Sequence, residues 1–369
     1  MKKKHILILL LLLSSGFIYS QSDVVMNNLT TNNLITETQK EGIYNKLNVF
    51  PNKTQVSIAL IENGNVKIYG IEIKNDTISY LENYNSVFEI GSITKLFTST
   101  LLANFVINKK INLDDNINQF LTIPFNDSIC LTFKQLATHT SGLPRMANNF
   151  TITALLHMKN PFKYYTEEKL EKYIRKKMKL VYDQNERPHY SNVGVGILAY
   201  TLCNIANNDF ETLLDSLIFS RYEMNNSSSH KNEVLNKLVI GLNKKGKETP
   251  NWDMGSIYGA GSILSTVEDL SKFALAQFDN SNKELVLTRQ VCVTDTLSFN
   301  MGLGWHIFKP YDDTWYFHNG RTGGYSSGIM IDVVNKNGII ILSNVSAYNK
   351  QADNIDDLCV KLMKTLNKQ

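Results

Sequence analysis

The chain has 369 residues, of which 43% are hydrophobic and 20% are charged, and its formal net charge is +4 at pH 7. This is the composition of an ordinary globular protein with a sizeable core, and it excludes a low-complexity chain. Without residues 1 to 20 the net charge falls to +1, because three lysines and no acids lie there. Nothing in the charge balance argues for nucleic acid as a partner.

Residues 1 to 20 have the features of a secretory signal peptide. Lys2, Lys3 and Lys4 precede an apolar run of about fourteen residues, and small and polar residues follow near Ser20. The run is too short and wrongly flanked for an ordinary spanning helix. We therefore predict an exported protein, periplasmic or secreted after cleavage, which contacts a membrane only if this segment stays uncleaved.

Strands are predicted at both ends of the rest of the chain. A polar leader at residues 21–48 precedes the domain predicted at residues 49–369. In VSIALIENGNVKIYGIEIKN (56–75), two β-rich runs flank Asn63-Gly64, a strong hairpin signal. The pattern returns in GIMIDVVNKNGIIILSN (328–344) with Asn337-Gly338 at the predicted turn, and a helical tail follows. This order predicts one sheet built from both termini, with a helical insertion at about residues 105–250.

The stretch FEIGSITKLFTST (88–100) places Ser92 at the head of a predicted helix and Lys95 three residues later. A serine hydroxyl needs a neighbouring base and a place for negative charge before it can act as a nucleophile. On a helix Lys95 lies on the same face as Ser92, and the helix N-terminus supplies free N–H groups. The spacing alone is weak evidence, because Ser92 could be a helix cap and Ser228-Ser229-His230-Lys231 repeats the pattern.

Two segments of the helical insertion stand out. TEEKLEKYIRKKMKL (166–180) is basic and amphipathic, and a solvated helix face is favoured over a membrane surface for it. Tyr190-Ser191-Asn192 is the only Tyr-x-Asn in the chain and precedes a predicted helix. A phenol near an ammonium can lose its proton below its usual pKa of about 10 and act as a general base, and an asparagine amide can hold a substrate carbonyl. The alternative is a buried tyrosine before a helix.

A polar, glycine-rich segment, HNGRTGGY (318–325), precedes the C-terminal hairpin. Its glycines allow a strand edge to lie close to a ligand, and the backbone N–H of Arg321 could complete an oxyanion hole. A surface turn is the alternative. The G-x-S-x-G pattern at residues 324–328 is not the nucleophile elbow of an α/β-hydrolase, because a strand is predicted after it and no histidine follows His318.

No metal or organic cofactor is predicted. The four cysteines, Cys130, Cys203, Cys292 and Cys359, form no CxxC pair, which argues against a zinc ribbon or a redox motif. Buried free thiols are favoured for them over disulfides, which an exported protein could also form. No histidine pair has the spacing of a zinc site, and no phosphate-binding loop is present.

The order Ser-x-x-Lys, Tyr-x-Asn and basic residue-x-Gly resembles the penicillin-recognising serine hydrolases: class C β-lactamases, D-alanyl-D-alanine carboxypeptidases and related esterases. LATHTSGLP (136–144) and GAGSILSTVEDLSKF (259–273) also look like this family, so the resemblance runs from about residue 50 to residue 345. It implies an α+β, β-lactamase/transpeptidase-like fold, in which an antiparallel sheet is flanked by helices and carries an inserted helical subdomain.

The resemblance also implies a role for each matching position. Ser92 would be the acylated nucleophile, and Lys95 would be its proton partner. Tyr190 would be the base that also serves the attacking water. Asn192 would bind the substrate amide, and backbone N–H groups of Ser92 and Arg321 would hold the oxyanion.

One segment departs from the family pattern. His318, Asn319 and Gly320 stand where the β-lactamases have Lys-Thr-Gly, which removes a permanent charge and a hydroxyl that help to bind a carboxylate. Arg321 is the candidate to restore the charge. We expect all four residues to contact substrate.

Three functions remain open from the sequence. The first is class C-like β-lactam hydrolysis, or hydrolysis of D-alanyl peptides from the cell wall, through an acyl-enzyme on Ser92. The second is a carboxylesterase with the same machinery, marked by a preference for uncharged acyl substrates. The third is a penicillin-binding or sensor module that acylates but hardly deacylates.

Overall fold

The computed structural model describes residues 34–126, 129–294, 299–310 and 313–366. The predicted signal peptide and residues 21–33 of the predicted leader lie outside the described residues. Within these four ranges, none of the helices is both long enough and apolar enough to cross a membrane.

An eight-stranded antiparallel sheet forms the centre of the molecule, and a two-stranded sheet joins β4 and β5. The strands are β1 (Gln55–Glu62), β2 (Asn65–Lys74), β3 (Thr77–Tyr80), β4 (Phe88–Glu89), β5 (Leu264–Ser265), β6 (Asn300–Met301), β7 (His306–Phe308), β8 (Trp315–Arg321), β9 (Ser326–Asp332) and β10 (Asn337–Ser343). The order in the large sheet is β3-β2-β1-β10-β9-β8-β7-β6, so strands from the two ends of the chain pair in its middle. The predicted sheet built from both termini is confirmed.

Helices cover both faces of this sheet. They are α1 (Glu37–Leu47), α2 (Thr94–Ile107), α3 (Phe133–Ala137), α4 (Phe150–Leu156), α5 (Glu167–Lys172), α6 (Asn192–Ala206), α7 (Phe210–Leu214), α8 (Lys231–Val234), α9 (Val267–Gln277), α10 (Lys283–Arg289) and α11 (Asn354–Leu366). Short 3₁₀ turns (Gly91–Ile93, Ile117–Phe120, Leu235–Lys237, Gly255–Ala260) and π turns (Tyr173–Lys177, Asp215–Phe219) complete them. The fold is α+β, as predicted, and the segment between α2 and β5 contributes no strand to the large sheet among its described residues.

The two faces of the sheet bury separate cores, because side chains alternate along each strand. In β10, Ile339 and Ile341 pack against α1 and α11, whereas Ile340 and Leu342 join the larger core on the side of the other helices. A central strand covered on both faces reads as a continuous apolar run, which explains GIIIL in the sequence.

The folded part begins earlier than the predicted boundary at residue 49. Thr36 caps α1 in a capping box with Gln39, and Ile43 and Leu47 are buried in the core that α11 shares. Most of residues 21–48 are polar, so the sequence does not mark this segment as part of the domain. Its two buried apolar positions lie four residues apart and therefore on one helix face.

One of the two hairpin turns is placed correctly by the sequence. Asn63 and Gly64 both have positive φ, the requirement of a two-residue turn between antiparallel strands. The turn predicted at Asn337-Gly338 is wrong, because both residues lie inside β10. The chain turns at residues 333–336, where Lys336 takes the positive φ, and the Asn337 side chain accepts a hydrogen bond from Asn63 N–H.

The cysteine prediction is confirmed for two positions. Cys203 and Cys359 are buried free thiols, and burial raises the pKa of each. Cys292 is a half-buried free thiol.

Candidate active site

Ser92 lies in the 3₁₀ turn Gly91–Ile93 that opens α2. Gly91 has φ +51°, and a Cβ built there would lie 2.8 Å from the backbone nitrogen of Arg321. Glycine is therefore required before the serine, both for the backbone conformation and for the close approach of β8. The approach places the end of β8 beside Ser92.

Lys95 is 1% exposed, and its amine touches three oxygens. Nζ lies 3.1 Å from Ser92 Oγ, 2.9 Å from Asn192 Oδ1 and 2.7 Å from the carbonyl oxygen of Ala260. No carboxylate among the described residues forms a salt bridge with it. The amine therefore joins the nucleophile turn, α6 and the 3₁₀ turn before β5.

The surroundings of Lys95 favour its neutral form. Burial, and secondarily the positive charge of Arg145, hold the pKa of Lys95 well below its usual value of 10.5. A neutral amine has two N–H groups and one lone pair. The two shorter contacts, to Asn192 and Ala260, use the N–H groups, and the lone pair is then left to accept the Ser92 hydroxyl proton.

Tyr190 stands beside the nucleophile, with its hydroxyl near that of Ser92. Its ring lies near two basic groups: Lys95 Nζ is 4.7 Å and the Arg145 guanidinium 5.0 Å from the ring centroid. Burial raises the pKa of Tyr190 to about 12, although Ser92 and Arg145 act in the opposite direction. The expectation that a nearby ammonium lowers this pKa is wrong for the structure as it stands, and Tyr190 is a protonated phenol at neutral pH.

Asn192 is the first residue of α6, whose N-cap Ser191 accepts a hydrogen bond from Gly194 N–H and donates one to the carbonyl of Pro144. The Asn192 side chain accepts from Lys95 through Oδ1, and its Nδ2 faces the Met146 sulfur at 3.7 Å. The backbone of Asn192 donates to Arg145 O. The turn at residues 144–146 is thus tied to the start of α6.

The predicted substrate-binding segment is split between the two faces of β8. Asn319 Nδ2 donates to Asp356 Oδ2 of α11 at 2.7 Å, and Arg321 forms a salt bridge of 2.8 Å with the same carboxylate. Because side chains alternate along a strand, His318 and Gly320 face the other way, towards the nucleophile turn. The structure therefore differs from the prediction, since the side chains of Asn319 and Arg321 lie on the far side of the sheet and Arg321 does not bring its charge to the site.

The backbone of this segment does approach Ser92. A Cβ on Gly320 would lie 1.9 Å from the carbonyl oxygen of Ile90, so only glycine fits there. Thr322 N–H donates to Tyr325 O in the β8–β9 ladder, and N–H groups of successive residues in a strand point in opposite directions. The N–H of Arg321 therefore points away from β9, towards Gly91 and the nucleophile turn.

Comparison with known proteins decides the family. The sequence model of the family described as Beta-lactamase matches residues 51–359, most of the chain. The chain belongs to the β-lactamase family. It is a serine hydrolase of the β-lactamase and penicillin-binding type.

Individual members of the β-lactamase family are distant relatives. The chain is 27% identical over 231 residues to Beta-lactamase-like protein 2 of Dictyostelium discoideum, covering 60% of this chain but only 41% of that protein. It is 24% identical to a beta-lactamase of Pseudomonas fluorescens, covering 69% of this chain and 70% of that one. A class C beta-lactamase from Rhodobacter sphaeroides superimposes with a TM-score of 0.75 at 14% identity, over 90% of this chain and all of that chain, which confirms the fold.

Three histidines lie around the β-lactamase-type site and were not predicted as a group: His139 and His318 are buried, and His306 is half-buried. His306 and His318 lie 5.2 Å apart by ring centroids, and the His139 ring lies 4.4 Å from that of Tyr190. Burial lowers the pKa of all three, to about 4 for His306 and well below the usual value for His139 and His318. They come from three distant segments, so no local sequence pattern marks them.

His318 presents a lone pair rather than a charge. Its Nδ1 lies 2.7 Å from the Asn319 carbonyl oxygen, which can only accept, so Nδ1 carries the proton. In the neutral ring Nε2 is then an acceptor, and it has no hydrogen-bond partner among the described residues. This is the reverse of the donor that a lysine would supply.

The competing motifs are accounted for within the β-lactamase fold. Ser228 is buried and donates to Glu211 Oε1 at 2.6 Å, and none of its hydrogen bonds among the described residues joins it to Lys231. Ser326 of the G-x-S-x-G pattern lies in β9, between two strands. Across the described ranges, no group of three or more His, Cys, Asp or Glu side chains could hold a metal ion.

Proposed function

We propose that this serine hydrolase acts through an acyl-enzyme on Ser92, and that it prefers neutral esters or amides to substrates with a carboxylate beside the scissile bond. The acyl chemistry is supported by Ser92, Lys95, Tyr190 and Asn192, which lie together although 100 positions separate the first from the last. The preference is supported by the uncharged His318.

Acylation begins with the transfer of the Ser92 hydroxyl proton to the neutral amine of Lys95. The serine oxygen attacks the substrate carbonyl carbon, and the oxyanion lies between the backbone N–H groups of Ser92 and Arg321. The leaving group takes its proton from the Tyr190 phenol as the bond to the carbonyl carbon breaks, and the proton held by Lys95 replaces it. The acyl group then remains as an ester on Ser92.

Deacylation reverses these proton transfers with water as the nucleophile. Water bonds to the acyl carbon as one of its protons passes through the Tyr190 hydroxyl to the neutral Lys95, and Lys95 returns that proton to Ser92 Oγ as the ester bond breaks. Asn192 holds the amine of Lys95 in place throughout, because Oδ1 accepts one of its two N–H groups.

The single observation that carries the substrate preference is the state of His318. The neutral ring offers a substrate carboxylate no positive charge, and its Nδ1 proton is already given to the Asn319 carbonyl, while Nε2 is buried. The cation of Arg321 is paired with Asp356 on the other face of the sheet. Neither residue therefore supplies the charge that a substrate carboxylate needs, and a neutral substrate does not require it.

The test compares a neutral p-nitrophenyl ester with a chromogenic cephalosporin, following turnover and intact protein mass together. We expect a transient adduct and turnover with the ester, and slower turnover with the cephalosporin. Ser92→Ala should abolish both adducts, and Ser228→Ala should change neither. Faster turnover of the cephalosporin would contradict the preference, and an adduct that survives Ser92→Ala would contradict the nucleophile.

A second candidate, hydrolysis of β-lactams or D-alanyl peptides, is favoured by Arg145. This exposed residue packs on Tyr190 and has no carboxylate partner among the described residues, so it could hold a substrate carboxylate. Relatives named beta-lactamase support the same candidate. Arg145→Gln would then raise the KM for the cephalosporin and leave the KM for the ester unchanged, whereas equal effects on both would exclude this role.

We also propose export to the periplasm or beyond the cell. The support is the basic and apolar sequence of residues 1–20. Cell fractionation followed by intact mass measurement should recover a chain that begins at Gln21 outside the cytoplasm. Recovery of the full chain in the cytoplasm would contradict export.

A further inference from the structure

Helix α4 (Phe150–Leu156) turns apolar side chains towards solvent. Ile152, Leu155 and Leu156 are 70%, 68% and 72% exposed, and Met158, just beyond the helix, is 79% exposed. Positions i, i+3 and i+4 share one helix face, so the three side chains form a single patch. The solvent face of an ordinary surface helix is polar, and its core face is apolar. Here both faces are apolar, because Phe150 is buried beneath.

The patch lies in the most cationic part of the chain. Residues 145–179 contain nine lysines and arginines and three glutamates, which gives a net charge of +6. The whole chain has a net charge of +4, so all other residues together carry −2. Arg145 is exposed and Lys169 is half-buried, and the other seven cations of this segment are all exposed. They are Lys159, Lys163, Lys172, Arg175, Lys176, Lys177 and Lys179.

The cationic residues after α4 contact the helix itself and the residue just before its start. Lys169 Nζ donates to Thr153 Oγ1 of α4 at 3.2 Å and to Tyr164 O at 2.7 Å. Asn148, just before α4, donates to the carbonyl of Lys177. Tyr164 is partly exposed, with Lys163 Nζ 5.8 Å from its ring centroid. Apolar side chains bordered by cations and a tyrosine have the composition of a protein surface that lies in a membrane interface.

The same segment leads to the active site. Arg145 packs on Tyr190, and Met146 contacts Asn192, only a few residues before α4 begins. A surface that binds to the patch would therefore lie a few residues along the chain from the contacts of Tyr190 and Asn192.

We propose that α4 and the cationic residues 159–179 dock the protein on an anionic lipid surface, with the Ser92 cleft opening beside the lipid–water interface. The positive charge of residues 145–179 favours an anionic lipid surface over other partners. A second copy of the chain would bring two segments of +6 together, which is unfavourable, and a soluble polyanion would leave the apolar side chains uncovered. The sequence alone favours a solvated face for residues 166–180, because it does not reveal that α4 exposes its apolar face beside them.

The first test places an environment-sensitive fluorophore on Leu155→Cys in the full chain, with Cys130→Ser and Cys292→Ser to prevent other labelling. Vesicles of phosphatidylcholine with about one third phosphatidylglycerol should shift its emission to the blue and raise its intensity several-fold. The matched control is the probe on Val334→Cys, which is 83% exposed in the turn after β9 and should not respond. Both labelled chains carry the same N-terminal segment, so that segment does not account for a difference.

The second test concerns charge. Lys176→Glu/Lys177→Glu should weaken vesicle binding at the Leu155 probe by about tenfold or more, since each lysine near an anionic surface contributes about 1 kcal/mol. Lys244→Glu/Lys245→Glu, an exposed pair elsewhere, makes the same change of net charge and should leave binding within about twofold.

Three outcomes would overturn the proposal. They are an unchanged Leu155 probe, equal binding to pure phosphatidylcholine, and a shift that grows with protein concentration in the absence of vesicles, which would indicate a second copy. Neither test measures activity, so the vesicle-binding result can be interpreted even if the proposed hydrolysis is wrong.

Discussion

Lys95 controls the pH dependence expected of the reaction, because only its neutral amine can accept the Ser92 proton. Burial and the charge of Arg145 lower its pKa. As the pH falls through that pKa the amine gains a proton and activity is lost, so Lys95 sets the acid limb of kcat/KM. The titration belongs to the coupled group of Ser92, Lys95 and Tyr190.

Arg145→Gln should move this acid limb to higher pH. Removing a nearby positive charge stabilises the ammonium form of Lys95 and raises its pKa. The measurement is the pH profile of kcat/KM with a neutral ester, for which Arg145 makes no charge contact. Lys244→Gln is the control, and its profile should match that of the unchanged protein. A limb that stays in place would show that Arg145 does not act on Lys95.

Gly320→Ala should reduce kcat by at least about a hundredfold, because its Cβ would meet the Ile90 carbonyl and push β8 away from the nucleophile turn. Steady-state kinetics with the ester tests this. Gly42→Ala, on α1, meets only the flexible stem of Lys361 and should leave kcat unchanged while stabilising the helix by about 0.5–1 kcal/mol. Equal kcat values would mean that β8 does not contribute the oxyanion site.

Individual residues were predictable where a short pattern carries the chemistry. The two short patterns Ser-x-x-Lys and Tyr-x-Asn predict four site residues, and the structure brings them together. They are Ser92, Lys95, Tyr190 and Asn192. The direction of the Asn319 and Arg321 side chains was not predictable, because it depends on which strand face meets α11. Arg145, His139 and the Ala260 carbonyl were missed because only the folded chain brings them near Lys95.

At the scale of elements, α1 belongs to the domain. It lies beside α11, with Gln39 Nε2 donating to Thr365 Oγ1 at 3.0 Å and Lys46 paired with Asp357 at 2.6 Å. The buried Ile43 is the apolar centre of this contact.

Ile43→Ala should lower the free energy of unfolding by about 2–5 kcal/mol, the usual range for a large-to-small substitution in a core. Urea denaturation measures the change. Val49→Ala, at an exposed position just after the helix, should cost less than about 0.5 kcal/mol. Similar small effects at both positions would mean that α1 is not part of the cooperative unit.

The elements themselves were predictable to different degrees. The hairpin at Asn63-Gly64 and the helices α2, α6 and α11 follow from turn residues and apolar periodicity. The second turn was misplaced because Asn337-Gly338 has the local signal of a turn, but the Asn337 side chain is used to bind the first hairpin. Local sequence does not contain that long-range contact.

At the scale of the whole molecule, the three histidines around the active site make stability depend on pH. The pKa of His306 is about 4, against about 6.5 in an unfolded chain, so between these values the unfolded state binds one more proton. The free energy of unfolding therefore falls as the pH is lowered through this window, by about 1.4 kcal/mol per pH unit for one histidine. His139 and His318 act in the same direction, whereas Glu89, whose pKa burial raises to about 7, acts against them.

His306→Gln should remove one proton from this balance. Between pH 6 and pH 4.5 the slope of unfolding free energy against pH should decrease by about 1.4 kcal/mol per unit. Urea denaturation at several pH values measures the slope, which does not depend on the stability that the substitution costs at any one pH. An unchanged slope would show that His306 is already protonated in the native state over this range.

The pairing of β1 with β10 also sets the order in which the chain can fold. The Asn63 N–H and the Asn337 side chain meet across 274 positions, so closing that loop costs about 5 kcal/mol of chain entropy before the sheet contributes any stability. At about 5–20 residues per second, a ribosome releases β10 on the order of 15–55 s after β1. During that interval the apolar strand VSIALI has one unpaired edge, a template for association with other chains. The speed of synthesis and the protection of this edge therefore govern the yield of folded protein.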